Sequence, residues 1–269
     1  MQTHERTGDE ASVGAALRRW RQRRHLSQLD LACEAEISAR HLSFVETGRA
    51  TPSREMVLHL AEQLDVPLRE RNTLLVAAGY APVFAERSLS DPALEAARKA
   101  VDLVLQGHEP YPALAIDRRW TLLAANQTAM RLMSNVDPML LQPPVNVVRL
   151  SLHPSGLATQ IANLPEWRAH IVTRLRRQLD LTADPVLEEL LTEIKSYPAG
   201  APSVAPHDEY GGVIIPLRLK TPAGVLSFLS TTTVFGTPVD ITLSELAVEA
   251  FFPADRATAD ALHAAAATP

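Results

Sequence analysis

Residues 27–52 read SQLDLACEAEISARHLSFVETGRATP, and the spacing of capping, small and apolar residues in this stretch predicts two short helices joined by a tight turn. Ser27 is placed to cap the first helix, with Gln28 just inside it, and Ser38 to cap the second. Ala32 stands where two helices must approach closely, and Ile37, Leu42 and Val45 fall where they bury the second helix against the first. The outward face near the N-terminus of the second helix then carries Ala39, Arg40, His41 and Ser43. In a helix-turn-helix, that end enters the major groove of double-stranded DNA. Arg is the commonest reader of guanine, His and Ser can bond base edges or phosphates, and a capped N-terminus leaves its dipole for the phosphate backbone. The competing reading is a helical hairpin that only packs.

Over residues 13–66 the chain resembles the phage-repressor-like, or xenobiotic-response-element, family of helix-turn-helix proteins. Besides the motif itself, the trailing pattern of that family stands here as Ser43, Glu46, Gly48, Arg49, Pro52 and Ser53. The expected contacts to an operator are Gln28, Ser38, Ala39, Arg40, His41, Ser43 and Arg49, with Arg49 on phosphate. One departure is Glu36, where the family usually carries a left-handed Gly in the turn. That substitution costs about 1 kcal/mol if the geometry is kept.

The net charge of the 269-residue chain is -5, which argues against nucleic acid only if the charge is evenly spread. It is not: between Gly14 and Arg54 eight arginines (Arg18, Arg19, Arg21, Arg23, Arg24, Arg40, Arg49, Arg54) face four acids, Asp30, Glu34, Glu36 and Glu46. Local positive potential is what phosphate contact requires. The run Arg18–Arg24 reads equally well as a solvated helix face or as a phosphate-contacting one. Cys33, the single cysteine, has no partner for an internal disulfide and is expected to be a small buried thiol. Residues 1–12 are polar and no run approaches the ~18 apolar residues of a membrane span, so a cytoplasmic location without membrane attachment is expected.

One helix-turn-helix module needs only about 60–80 residues, so a second domain must follow. Helices are predicted from Val13 through Trp20, after Ser53 as far as Pro67, and over Leu68–Ala78, with Gly79 as a stop. This makes residues 1–80 an all-α, five-helix domain, followed by a Pro-containing linker at 81–91. A helix over Pro92–Gln106 opens the second domain, residues 92–256. Next come a hairpin, Pro112–Ile116 and Trp120–Ala124 around Asp117-Arg118-Arg119, and a helix beginning at Asn126. Helices at Val145–Leu152, Leu164–Leu181 and Asp184–Lys195 precede a loop from Tyr197 to Pro206. Three strands, Gly211–Lys220, Gly224–Val234 and Val239 to about Phe251, close the domain, and Thr221-Pro222-Ala223-Gly224 is a plausible hairpin turn. The fold class is α+β, with a five-stranded antiparallel sheet carrying helices on one face. The Ala- and Thr-rich residues 257–269 are expected to form a flexible tail.

The strand-turn-strand-Asn-helix opening is similar to that of Per-Arnt-Sim (PAS-like) sensor domains. The segments PALAIDRRWTLLAAN (112–126), LSLHPSGLATQIANLPEWRAHIVTRLRRQ (150–178), PVLEELLTEI (185–194) and LSFLSTTTVFGTPVDITLSELAVEAFFPAD (226–255) resemble the ligand-binding domain of MmyB-like transcription regulators. This resemblance implies a one-component regulator with a PAS-like effector domain, for which acyl or other apolar small molecules are plausible ligands.

The residues themselves point the same way. Trp167, Ile171 and Leu175 share one helical face, and Phe228, Ser230 and Thr232 alternate on one strand face, so a pocket between helix and sheet is expected, with plain core as the alternative. Arg149, His153, Arg168 and Arg174 would supply a cationic end for a carboxylate or polar head group. His153, His170 and His207 lack metal-ligand spacing, no Cys is available for a flavin adduct, and Ser227, Ser230 and Thr231-Thr232-Thr233 lie in no Gly-x-Ser-x-Gly elbow. No cofactor, metal or catalysis is therefore expected. The leading reading is a homodimeric, effector-responsive DNA-binding regulator. The alternatives are a regulator whose C-terminal half serves only dimerisation or protein contact, and an enzyme fused to a DNA-binding module.

Overall fold

The computed structural model describes residues 12–198, 200, 214–236 and 240–267. The chain divides into two compact units, the first built mainly on residues up to Glu86. Among the described residues that first unit holds five helices: α1 (Val13–Arg23), α2 (Gln28–Glu34), α3 (Ala39–Glu46), α4 (Arg54–Gln63) and α5 (Leu68–Ala77). The first four each begin on a serine that accepts a backbone N–H three residues on: Ser12, Ser27, Ser38 and Ser53. Each such cap satisfies an otherwise orphaned donor and stabilises by about 1 kcal/mol. Asp30 returns the favour at α2, accepting the Ser27 N–H at 2.8 Å and completing a capping box.

Leu17, Trp20, Leu31, Ala32, Leu42, Val45, Leu60, Leu64, Leu74 and Leu75 form the core of this unit, with Ile37 packed partly buried against it. The first helix does not break at the arginine run. It continues through Arg23 and ends where His25 turns left-handed at φ 57°. Glu36 keeps the left-handed turn geometry at φ 53°, held by Glu36 N–H to Cys33 O and Ile37 N–H to Ala32 O on the chain entering and leaving it. Cys33 is exposed, not buried, because Leu31 and Ala32 occupy the inward face of this short helix. Gly14 is required where α1 meets the end of α3: a Cβ there would stand 2.2 Å from the Val45 carbonyl oxygen. In the segment expected as a linker, Val83 and Phe84 are clamped by Asn72 of α5, which accepts both backbone N–H groups and donates to Phe84 O at 2.8 Å.

The second unit is built on one sheet of five strands, β1 (Ala113–Ile116), β2 (Leu122–Ala125), β3 (Leu217–Thr221), β4 (Gly224–Val234) and β5 (Ala247–Pro253), in the order β2-β1-β5-β4-β3. Every neighbouring pair is antiparallel, so β5, last in sequence, sits at the centre and joins the early hairpin to the late one. Pro222 and Ala223 form the two-residue turn between β3 and β4, with Gly224 at φ 115°. Around the sheet lie α6 (Glu95–Gly107), α7 (Gln127–Leu132), α8 (Val147–Leu152), α9 (Leu164–Thr182), α10 (Pro185–Ser196), the single turn α11 (Ile241–Ser244) and α12 (Arg256–Ala266). Asn126 caps α7 through Ala129 N–H and also accepts Ala113 N–H, both at 3.0 Å, while its amide donates to Tyr111 O at 2.7 Å. One buried side chain thus ties hairpin, helix and preceding loop.

Three expectations are corrected. Helices cover both faces of the sheet: Leu114 and Ile116 join the large core that includes Trp167 and Ile171 of α9 and Leu187 of α10, whereas Ala113, Ala115 and Val248 pack with Val101 and Leu105 of α6. The small alanines let that helix approach closely. The last strand starts at Ala247, after the helical turn α11, because buried Asp240 and Ile241 pair with Ala85 and not with the sheet: Asp240 bridges to Ala85, and Ile241 N–H donates to Ala85 O at 2.8 Å. The expected flexible tail is instead α12, capped by Asp255 and anchored by Thr258 and Leu262, 1% and 5% exposed. Thr258 accepts the Ser227 N–H at 2.9 Å, fastening the helix to β4. Residues 211–213 and most of the expected loop to Pro206 lie outside the described residues. Among the described residues no helix is long and apolar enough to cross a membrane, and no group of three or more His, Cys, Asp or Glu could hold a metal ion.

Candidate functional site

In the first unit, Ser38 caps α3 and leaves Ala39, Arg40, His41 and Ser43 on its first turns, with Arg40 exposed and the other three half-buried. The Arg40 guanidinium lies 5.4 Å from the centre of the Phe44 ring, one turn on, which restrains its rotamers before any contact is made. Sequence reasoning missed Phe44, although the i, i+4 spacing of Arg and an aromatic is the signal for such a pair. Past the end of α3, Gly48 turns left-handed at φ 71° and Arg49 N–H closes on Phe44 O at 2.8 Å, so exposed Arg49 stands immediately beyond the helix.

Gln28, expected at the operator, is also tied into the helical unit. Its amide donates to Glu46 Oε2 at 2.7 Å, and Glu46 also accepts Arg21 Nε and Nη2 at 2.7 and 2.8 Å. Arg21 spends a further N–H on Leu26 O. The hydrogen bonds that Arg21 donates to Glu46 hold its guanidinium firmly protonated, its pKa raised above the ordinary value. The arginine run is thereby divided. Arg21 is buried and paired, Arg24 caps the end of α4 through Leu64 O and Asp65 O, and Arg18, Arg19 and Arg23 are exposed.

In the second unit, the sheet and helices α7, α8 and α9 line a partly open apolar pocket with a cavity volume of about 100 Å³. Trp167, Ile171, Phe228 and Arg174 of the expected set line it, together with Trp120, Leu219 and other apolar side chains. Leu175 is fully buried in the core behind this wall. The other expected cations are occupied elsewhere. Arg149 grips Glu193 at 2.7 Å, which holds the Glu193 carboxyl below its usual range, and Glu193 accepts the Tyr197 hydroxyl, against whose ring His153 sits edge-on at 5.1 Å. Arg168 donates to Ile194 O and Lys195 O, capping the end of α10. Along β4, Phe228 is buried, Ser230 half-buried and Thr232 exposed, because the strand runs out of the core.

The polar end of the cavity is therefore a neutral pair. Arg174 Nη2 donates to Glu249 Oε1 at 2.5 Å and Nη1 to Oε2 at 3.1 Å, Thr232 Oγ1 bridges them at 3.0 and 2.8 Å, and the guanidinium lies 4.6 Å over the Trp120 ring. Glu249, 3% exposed and also lining the cavity, was missed; a lone acid within the apolar strand AVEAFFP was its signal. On the wall itself, Trp167 donates its indole N–H to Ser151 Oγ at 3.0 Å and stacks on His170 at 5.3 Å. Burial, reinforced by nearby Arg174 and opposed by Glu249, lowers the His170 pKa from 6.5.

A capped, Arg-bearing surface helix on a small helical unit, and an apolar pocket in a separate sheet unit, are the two parts of a DNA-binding regulator with a small-molecule-binding domain. Residues 12–74 match the model of a helix-turn-helix domain, and residues 97–265 match that of the MmyB-like transcription regulator ligand binding domain. The chain belongs to the MmyB-like transcription regulators. These are families of DNA-binding and ligand-binding domains, not of enzymes. No curated protein matches the chain.

Proposed function

We propose that this chain is a cytoplasmic, homodimeric, one-component regulator that reads an operator through Arg40 and its neighbours on α3, with Arg49 on phosphate, and whose operator affinity is set by a small apolar or short-acyl effector. The observation that supports this reading best is the apolar pocket walled by Trp167, Ile171 and Phe228. Its volume, about 100 Å³, suits a ring or a short chain, since an engineered apolar cavity of about 150 Å³ in another protein takes up benzene. Effector binding would shift operator affinity only as far as the effector prefers one arrangement of the protein over another.

The test is a thermal-shift panel of hydrophobic metabolites and short acyl compounds on the native chain and on Ile171→Trp, paired with operator binding. A ligand at 100 times its Kd stabilises by ~2.7 kcal/mol and raises Tm. Ile171→Trp should fill the cavity and abolish that rise, with operator binding by the effector-free protein unchanged because the helical unit has its own core. If no compound shifts the native protein and Ile171→Trp merely unfolds it, the space is packing volume and a purely interacting C-terminal half becomes the better account.

A further inference from the structure

We infer that the effector carries an uncharged hydrogen-bonding head group, a hydroxyl or an amide, and that the Arg174–Glu249 pair selects against free carboxylates. The inference rests on the cavity being the effector site and names the chemistry it accepts.

The polar groups on the cavity wall are Ser151, Arg174 and Glu249. Arg174 would be the natural anchor for a carboxylate, but it is already committed. Its edge is held by both Glu249 oxygens and by Thr232, and its face lies on Trp120. A ligand carboxylate reaching Arg174 would bring a second negative charge beside Glu249, whose side chain is only 4% exposed. Two carboxylates sharing one cation in a poorly solvated site repel strongly. A neutral head meets no such penalty. Glu249 retains lone pairs to accept from a hydroxyl or amide N–H, and Ser151, whose oxygen receives the Trp167 N–H, keeps its own O–H to donate. An alcohol or amide offers both a donor and an acceptor.

Four probes of six heavy atoms each separate the possibilities at pH 7.5: pentan-1-ol, butanamide, butanoate and n-hexane, titrated by ligand-observed NMR against the full chain. The expected result is that pentan-1-ol and butanamide bind at least about tenfold more tightly than butanoate. Glu249→Gln, which leaves Arg174 charged and unpaired, should reverse the order in favour of butanoate. Thr232→Val preserves the charge balance and should keep the wild-type order, so it serves where Glu249→Gln does not fold. Butanoate binding as well as pentan-1-ol to the wild type, or hexane binding more tightly than both neutral polar probes, overturns the inference while leaving the cavity as the effector site. Binding of none of the four overturns both.

Discussion

Glu46 receives the Arg21 guanidinium through two hydrogen bonds across 25 residues of chain, with the two side chains 1% and 9% exposed. Buried pairs of this kind stabilise little against an apolar replacement, but removing one partner strands the other charge. Glu46→Ala and Arg21→Ala should therefore each destabilise the helical unit by about 3–5 kcal/mol. The double variant Arg21→Met/Glu46→Leu should recover most of that loss in urea denaturation. Single variants of native stability would mean that water reaches the pair.

Arg40→Ala should weaken binding to the cognate operator by roughly 1–3 kcal/mol and relax base preference at one position of each half-site, as expected for a bidentate base contact. Equal losses on operator and random duplex would assign Arg40 to phosphate. Arg49→Ala should weaken both duplexes and reduce the slope of log K against log salt by about one unit. A slope identical to wild type would remove Arg49 from the interface.

Glu36 occupies a left-handed turn at φ 53° that glycine adopts without strain. Glu36→Gly should stabilise the helical unit by about 1 kcal/mol, offset in part by the greater freedom of glycine in the unfolded chain. A melting temperature several degrees higher in calorimetry is the expected readout, and no change would show the turn to be relaxed with glutamate in place.

The lowered pKa of His170 gives a pH dependence of definite sign. The folded form resists protonation, so the contribution of His170 to stability is intact above pH 6.5, its unperturbed value, and is lost as pH falls from there through the folded-state pKa. NMR titration should place the imidazole below 6.5, and His170→Gln should flatten the loss of stability of the sheet unit over that interval. A midpoint at or above 6.5 would contradict the burial that the stacking on Trp167 produces.

A lone recognition helix contacts too little DNA for tight specific binding, so two copies are expected on half-sites about 34–36 Å apart or a multiple of that. Sedimentation should show a dimer at micromolar concentration, with a footprint of twofold repeat. A monomer protecting a single unrepeated site would defeat this expectation.

Much of the fold was legible because it depends on local chemistry. Ser27, Ser38 and Ser53 announce helix starts by what their hydroxyls can accept, and Asn126 does the same for α7. Leu114 and Ile116 against Ala113 and Ala115 show the alternation of a strand. What could not be read depends on partners distant in sequence. Arg149, Arg168 and Arg174 are equivalent cations in the sequence, yet Glu193, the end of α10 and Glu249 claim them, and only Arg174 reaches the cavity. The bond from Gln28 to Glu46 could not be read for the same reason, since the two lie 18 residues apart. In α12, composition suggested a loose tail because alanines dominate, and only Thr258 and Leu262, four residues apart, betray a docked face.

The contact at Gly14 bears on how an operator is recognised. With no room for even a methyl group between α1 and the Val45 carbonyl, the end of α3 packs directly against the backbone of the helix behind it. If α3 reads the operator as proposed, a reading head seated so tightly would roll or tilt little to follow an imperfect groove, and the duplex would supply the compliance. Sites with pliant pyrimidine–purine steps at the right places would then be favoured over stiffer sequences with identical contacted bases, so that part of the selectivity of this regulator resides in base pairs it never touches.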